Sequence, residues 1–198
     1  REELLTSFAG AAQIATTILL GTVMAVYVGE RGSPFAVGMI VTVYSFVIII
    51  AAPVWGTIAD MTGRRRLLLI ATAGFATLSV LPLVIIRGVW GPIGIRGVYA
   101  AFTAGFLPIV LTIVSNRGGV EARGRSLGSF NSVRSMGFTV ALLVAGVLLS
   151  YYTYQTIYLI IAAMSGVAVL AVIWISDPTP DPNQQPSFRE MRRGLRKR

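Results

Sequence analysis

The sequence predicts an all-α membrane protein of six transmembrane helices with both ends in the cytoplasm. Three observations carry that prediction: a shortage of charge, six apolar runs of helical length, and basic residues gathered on one side. Of 198 residues, 55% are hydrophobic and 13% are charged, and the mean hydropathy is +0.74. A soluble domain of this size carries about 25% charged residues, so the composition belongs to the membrane class.

A bilayer core of about 30 Å needs roughly 20 apolar residues in a helix. The stretches 6–28, 35–58, 67–86, 93–115, 127–150 and 156–175 meet that requirement. In lipid only helices and closed barrels satisfy the backbone, and these runs lack the two-residue alternation of barrel strands. Span one carries Gln13 and Thr17 one helical turn apart, and then Met24. Span two contributes Tyr44 and Ser45 and ends near Asp60. Span three follows a basic run, Arg64, Arg65 and Arg66. Span four holds Arg96 near one end, with Tyr99 and Thr103 on its face. Span five holds Arg134 eight residues beyond Ser126, about 12 Å along a helix, with Asn131 one turn before it. Span six follows "YYTYQT", an uncharged segment with three tyrosines that suits an interfacial aromatic belt.

Orientation follows from the basic residues, which collect in cytoplasmic segments. With the N-terminus inside, the inner segments hold 13 of the 17: Arg1, Arg64, Arg65, Arg66, Arg117, Arg123, Arg125, Arg189, Arg192, Arg193, Arg196, Lys197 and Arg198. Arg31, Arg87 and Arg96 fall towards the outer side. The net charge of +9 is therefore mainly this bias, and no nucleic-acid partner is expected. The partners expected are the lipid bilayer and a small-molecule substrate, and the expected location is the plasma membrane. The chain opens on Arg1 with no cleavable leader before span one, which predicts a fragment of a longer protein rather than a signal peptide. With no cysteine or histidine, disulfides and most zinc sites are excluded.

The bundle is expected to occupy 1–175. Residues 176–198 form a cytoplasmic extension, in which "SDPTPDPNQQP" has four prolines and no apolar run and reads as a linker. Beyond it, Ser187 and Glu190 have capping-box spacing. Phe188, Met191 and Leu195 recur at helical spacing among basic residues, as in a helix lying on a membrane surface. A disordered basic tail is the plainer alternative.

The stretch "GTIADMTGRRR", 56–66, repays a closer reading. Asp60 lies in the last turn of span two, where the helix end already carries partial negative charge. Gly63 permits a tight turn, and Gly56 lets another backbone come close. No P-loop pattern and no preceding strand make it a phosphate loop. In position and spacing it resembles the signature loop of the major facilitator superfamily, with Gly56, Asp60, Gly63, Arg64, Arg65 and Arg66 matching and Met61 standing where a basic residue is usual. The upstream "GMIVTVYSFVIIIAAPVWG" is similar to that family's second helix. "RGVYAAFTAGFLP" (96–108) resembles its fourth-helix pattern at Arg96 and Pro108, with Ala100 and Ala104 in place of glycines. "GFTVALLVAG" (137–146) keeps Gly137 and Gly146 of an antiporter motif but lacks its glycine–proline hinge; its small residues still allow close helix packing.

The resemblance implies the first six of twelve helices, built as two three-helix inverted repeats that rock against a second six-helix bundle. It implies that Asp60 and Arg64 act at a cytoplasmic gate, with Asp60 meeting a helix N-terminus of the other half. The expected function is secondary active transport of a small solute, as an efflux pump or an organic-anion carrier. A non-transporting six-helix scaffold or sensor, or a homodimeric half-transporter, is the alternative.

A charge at bilayer depth costs at least about 2.5 kcal/mol and so faces a cavity or a partner. Gln13, Thr17, Tyr44, Arg96, Tyr99, Thr103, Asn131 and Arg134 are the candidate cavity residues. Plainer roles compete: Arg96 as an outer interfacial anchor, Arg134 paired with carbonyls or the Asp60 loop, and the others as interhelical hydrogen-bond partners. Apart from Asp60 the spans hold no carboxylate; Glu30 and Glu121 fall in loops. A proton carrier, were transport coupled to a proton gradient, belongs to the other half. No cofactor and no catalytic constellation are expected, so the chain does not read as an enzyme.

Overall fold

The computed structural model describes residues 2–116 and 119–174. The linker and amphipathic segment expected over 176–198 lie outside the described residues, as do Arg1 and Arg117. All regular structure described is helical: α1 (Glu2–Arg31), α2 (Pro34–Thr62), α3 (Arg65–Val80), α4 (Trp90–Thr103), α5 (Phe106–Asn116), α6 (Gly119–Tyr151) and α7 (Tyr154–Ile173). Six spans are long and apolar enough to cross a membrane: Thr6–Arg31, Pro34–Thr62, Arg65–Val84, Trp90–Val114, Gly124–Tyr151 and Tyr154–Ile173. Each overlaps one of the six apolar runs. Span three is α3 extended by a single 3-10 turn, Leu81–Val84. Span four is a broken helix made of α4 and α5.

The turns have local causes. Ser33 accepts the Ala36 N–H at the start of α2, with Pro34 in the first turn, where a missing N–H costs nothing. Gly63 closes α2 in the left-handed region (φ 63°), its N–H bonding the Ala59 carbonyl at 3.1 Å, a cap that suits a residue without Cβ.

The packing pattern has an internal symmetry. Span one packs against spans five and six, span four against spans two and three, and spans three and six against each other. Exchanging span one with four, two with five and three with six returns the same set of contacts. Three crossings separate each residue from its counterpart, so the second set of three runs inverted relative to the first.

Spans one and five make the tightest crossing. A Cβ added to Gly137 would lie 2.5 Å from the Ala11 carbonyl oxygen, and one added to Gly10 would lie 2.5 Å from the Phe130 ring. Ala141 and Ala145, one and two turns beyond Gly137, are buried on the same face. With small residues in register the two backbones approach closely, as they must where van der Waals contact rather than the hydrophobic effect joins helices.

The break in span four is held from span two. In an unbroken helix the Gly105 N–H would bond the Ala101 carbonyl; here it donates to Phe102 at 3.2 Å. The Ala101 carbonyl instead accepts the Trp55 indole N–H at 2.7 Å. Pro108, without an N–H, leaves the Ala104 carbonyl no helical donor either. A Cβ on Gly105 would lie 2.7 Å from Trp55 and 2.8 Å from Thr72, so only glycine fits where spans two, three and four meet. Replacing Trp55 with phenylalanine keeps the ring and removes the donor. It is expected to cost about 1 kcal/mol, read as a lower melting midpoint; an unchanged midpoint would show that the bond does not hold the break.

Two apolar cores fill the ends of the bundle. One gathers Leu19, Leu20, Met24, Ile157 and Ile161; the other gathers Ala9, Leu69, Phe106, Ile113 and Phe130. Large side chains of α2 (Phe46, Ile49, Ile50, Val54) and α6 (Met136, Leu143, Val147) are exposed, and these two spans are the least buried of the six.

Candidate functional site

Between the two cores lies a cavity of about 600 Å³. Gln13 and Thr17 of α1, Tyr44 of α2, Arg96 and Thr103 of α4, and Arg134 of α6 line it. Six of the eight residues singled out in the sequence thus converge. Tyr99 stands behind them, with its hydroxyl 2.9 Å from Thr17 Oγ1. Asn131 is set apart: it is exposed on α6 and does not line the cavity.

The polar groups form a connected network. Gln13 Nε2 donates to Thr103 Oγ1 at 2.8 Å, and Thr17 Oγ1 donates to the Gln13 carbonyl at 2.8 Å. Arg96 is only 5% exposed. Its guanidinium carbon lies 4.0 Å from the centre of the Tyr44 ring and 5.6 Å from that of Tyr99, while Nη1 donates to the Thr17 carbonyl at 3.3 Å. Its Nη2 rests against Gly21, where a Cβ would come within 2.7 Å. Packed among spans one, two and four, Arg96 does not have the surroundings of an interfacial anchor. Aromatic faces suit a planar, weakly hydrated guanidinium, but they supply no compensating negative charge.

Two buried polar atoms in this cluster have no hydrogen-bond partner: Gln13 Oε1 and Arg96 Nε. Buried polar atoms are paired as a rule, and exceptions ask for an explanation. Arg134 is half-buried and makes no hydrogen bond or ion pair with another described residue. Among the described residues no three of His, Cys, Asp and Glu cluster as a metal site.

The 56–66 loop divides its residues among different tasks. Arg66 donates to the Ile173 carbonyl at the end of α7; it caps span six and ties the start of span three to it. Arg64 occupies the cap position of α3 and is exposed, and Arg65 is half-buried with its Nε unpartnered. Asp60 is exposed in the last turn of α2 and forms no hydrogen bond or ion pair among the described residues. No atom lies within 4 Å of the place a Cβ on Gly56 would take.

At the opposite end of the bundle Arg31 lies over Tyr27 (4.1 Å) and Tyr154 (5.1 Å) and pairs with Glu30 at 3.1 Å. Tyr154 comes from the tyrosine segment, so the expected aromatic belt and one expected outer arginine form a single cluster.

A broken fourth helix, a tight crossing of spans one and five and a polar cavity between two cores are joined by a match over nearly the whole chain. The family description Major Facilitator Superfamily fits residues 6–198. The chain belongs to the major facilitator superfamily. Individual relatives within it are distant. Multidrug resistance protein MdtG of Proteus mirabilis is 26% identical over 63% of this chain and 31% of its own length. Multidrug efflux pump LfrA of Mycolicibacterium smegmatis is 29% identical over 74% of the chain and 29% of its own length. Citrate exporter 1 of Aspergillus niger is 26% identical over 72% of the chain and 27% of its own length. The aligned stretches therefore span less than a third of each of these major facilitator relatives. As a member of the superfamily with six spans, the chain is an integral membrane protein.

Trp55 is the residue that sequence reading missed. Its signal was present: a lone tryptophan beside Gly56, deep in an apolar run, needs a hydrogen-bond acceptor when buried.

Proposed function

We propose that the chain is the N-terminal six-helix half of a secondary transporter that moves a small solute across the plasma membrane by alternating access. The observation that carries this reading is the cavity of about 600 Å³, polar and arginine-bearing, midway through an otherwise apolar bundle. A cavity between helices at mid-depth is where transporters of this architecture bind their cargo. The loop 56–66 and both termini are cytoplasmic by the distribution of arginine and lysine.

A second six-helix bundle is the partner, and two surfaces support it. On α2 the exposed or half-exposed small and polar residues Gly38, Thr42, Ser45, Ala52, Gly56 and Asp60 form one stripe. On α6, Asn131, Ser132, Ser135 and Thr139 form another. Lipid favours neither. The limited coverage of the relatives fits a larger protein in which these stripes meet the other half. Relatives described as efflux pumps and as an exporter support outward movement.

Reconstitution of the full-length protein in liposomes tests the reading, with uptake and release of candidate solutes followed in time. Saturable transport is expected from the wild type, and a rate reduced about tenfold or more in Asp60→Asn/Arg134→Gln. Unaltered kinetics in that double variant would remove both the gate and the cavity from the mechanism.

A further inference from the structure

The cavity's charge is one-sided. Arg96 and Arg134 both face it, and no described aspartate or glutamate lines it. Arg96 is surrounded by neutral groups: two phenol rings, a backbone carbonyl and the bare backbone at Gly21. A guanidinium can donate five hydrogen bonds in a fork that matches a carboxylate. Only one donation by Arg96 is seen, that from Nη1 to Thr17. The remainder of the wall is apolar, with Ile14, Ile18, Ile48, Leu107, Phe106 and Phe130 prominent.

From this arrangement we propose that the cavity selects an amphipathic organic anion, its carboxylate head against Arg96 and Arg134 and its apolar body against the isoleucine and phenylalanine wall. The inference rests on the transport reading only in taking this cavity as the cargo site. The anion supplies the charge that the bundle lacks, and Gln13 Oε1, unpartnered and buried, accepts from a hydroxyl or amide donor beside the head. Shared apolar contacts alone leave acids, alcohols and amines nearly alike, whereas two cations facing a low-dielectric cavity separate them strongly.

Three probes with one body and different heads test the proposal: 4-phenylbutyrate, 4-phenylbutanol and 4-phenylbutylamine. Each is titrated calorimetrically into the full-length protein held in nanodiscs of zwitterionic lipid. The acid is expected to bind about tenfold or more tightly than the alcohol, the increment of roughly one charge-assisted hydrogen bond, and the amine not at all. Arg96→Gln is expected to erase the preference for the acid, and Arg134→Gln to reduce it. Because Arg96 is buried and its variant can lose the fold, the melting midpoint is measured alongside. Arg134, half-buried and unpaired, gives an independent variant. Tighter binding of the amine would mean that carboxylates of the second half neutralise the arginines, and would overturn the proposal. Equal binding of all three, binding of none, or a preference for the acid unchanged in both variants would overturn it as well. Asp60→Asn leaves this binding intact if only the gate reading is sound, so a failure of transport and a failure of anion selection are told apart.

Discussion

Gly137→Val is expected to prevent the bundle from assembling, with folded yield after solubilisation lost or the melting midpoint strongly lowered. An added Cβ at this position would sit 2.5 Å from the Ala11 carbonyl oxygen and 3.0 Å from both its carbonyl carbon and its Cα. Those atoms are helix backbone, so no rotamer change relieves the contact; α1 and α6 have to separate. Separation also withdraws the contacts of Phe130, Ala141 and Ala145, all buried at or below 3% exposure. Overpacking of flexible cores costs about 1–3 kcal/mol, and a backbone collision along the most extensive helix pair lies at or beyond the upper end. Gly137→Ala already meets the clash and should show a smaller fall. Gly146→Ala is the control on the same helix. No atom lies within 4 Å of its added Cβ, so its effect should stay within about 0.5 kcal/mol. Similar midpoints for Gly137→Val and Gly146→Ala would show that the crossing is looser than drawn.

What the sequence could and could not disclose follows from periodicity. Apolar length marks a span whatever its neighbours are, so all six spans were legible, and charge along the loops suggested their direction. The convergence of Gln13, Thr17, Tyr44, Arg96, Thr103 and Arg134 was also legible, because polar groups in an apolar run must face something other than lipid. The sense of each side chain was less so. Arg96 sits near one end of its span, which invites an anchor at the interface; only the bare surface of Gly21 and the rings of Tyr44 and Tyr99 show why it turns inward. Asn131 precedes Arg134 by three residues, a rotation about 60° short of a full turn at roughly 100° per residue. That offset is enough to carry it from the cavity to the exposed stripe with Ser135 and Thr139. Arg66 looked like its neighbours in a basic run, and its bond to the Ile173 carbonyl joins positions more than a hundred residues apart. No local pattern encodes such a partner. The break in span four had a partial signal in Pro108, but the tryptophan that satisfies the freed Ala101 carbonyl comes from another span.

Asp60→Asn is expected to slow transport about tenfold while leaving thermal stability unchanged or slightly improved, a combination that a structural carboxylate would not give. Within this bundle Asp60 is exposed and unpaired, so removing its charge breaks nothing here. It even relieves an acid at a helix C-terminus, worth a few tenths of a kcal/mol to about 1. In the gate reading the carboxylate stabilises the inward-closed state by meeting a helix N-terminus of the other half, an interaction of up to about 2 kcal/mol when partly buried. Losing about 1.4 kcal/mol shifts the balance tenfold towards the open gate. The shift can be read directly, since the chain contains no cysteine. A single cysteine at Ser45, exposed on the α2 stripe above Asp60, is placed in a full-length background freed of other cysteines. Its labelling by a membrane-impermeant thiol reagent from the cytoplasmic side should quicken about tenfold in Asp60→Asn. Asp60→Glu keeps the charge but displaces it, and should fall between the two. Equal labelling and equal transport in all three proteins would reduce Asp60 to a solvated residue of a turn. Faster labelling with normal transport would instead show that opening of this gate does not limit the cycle.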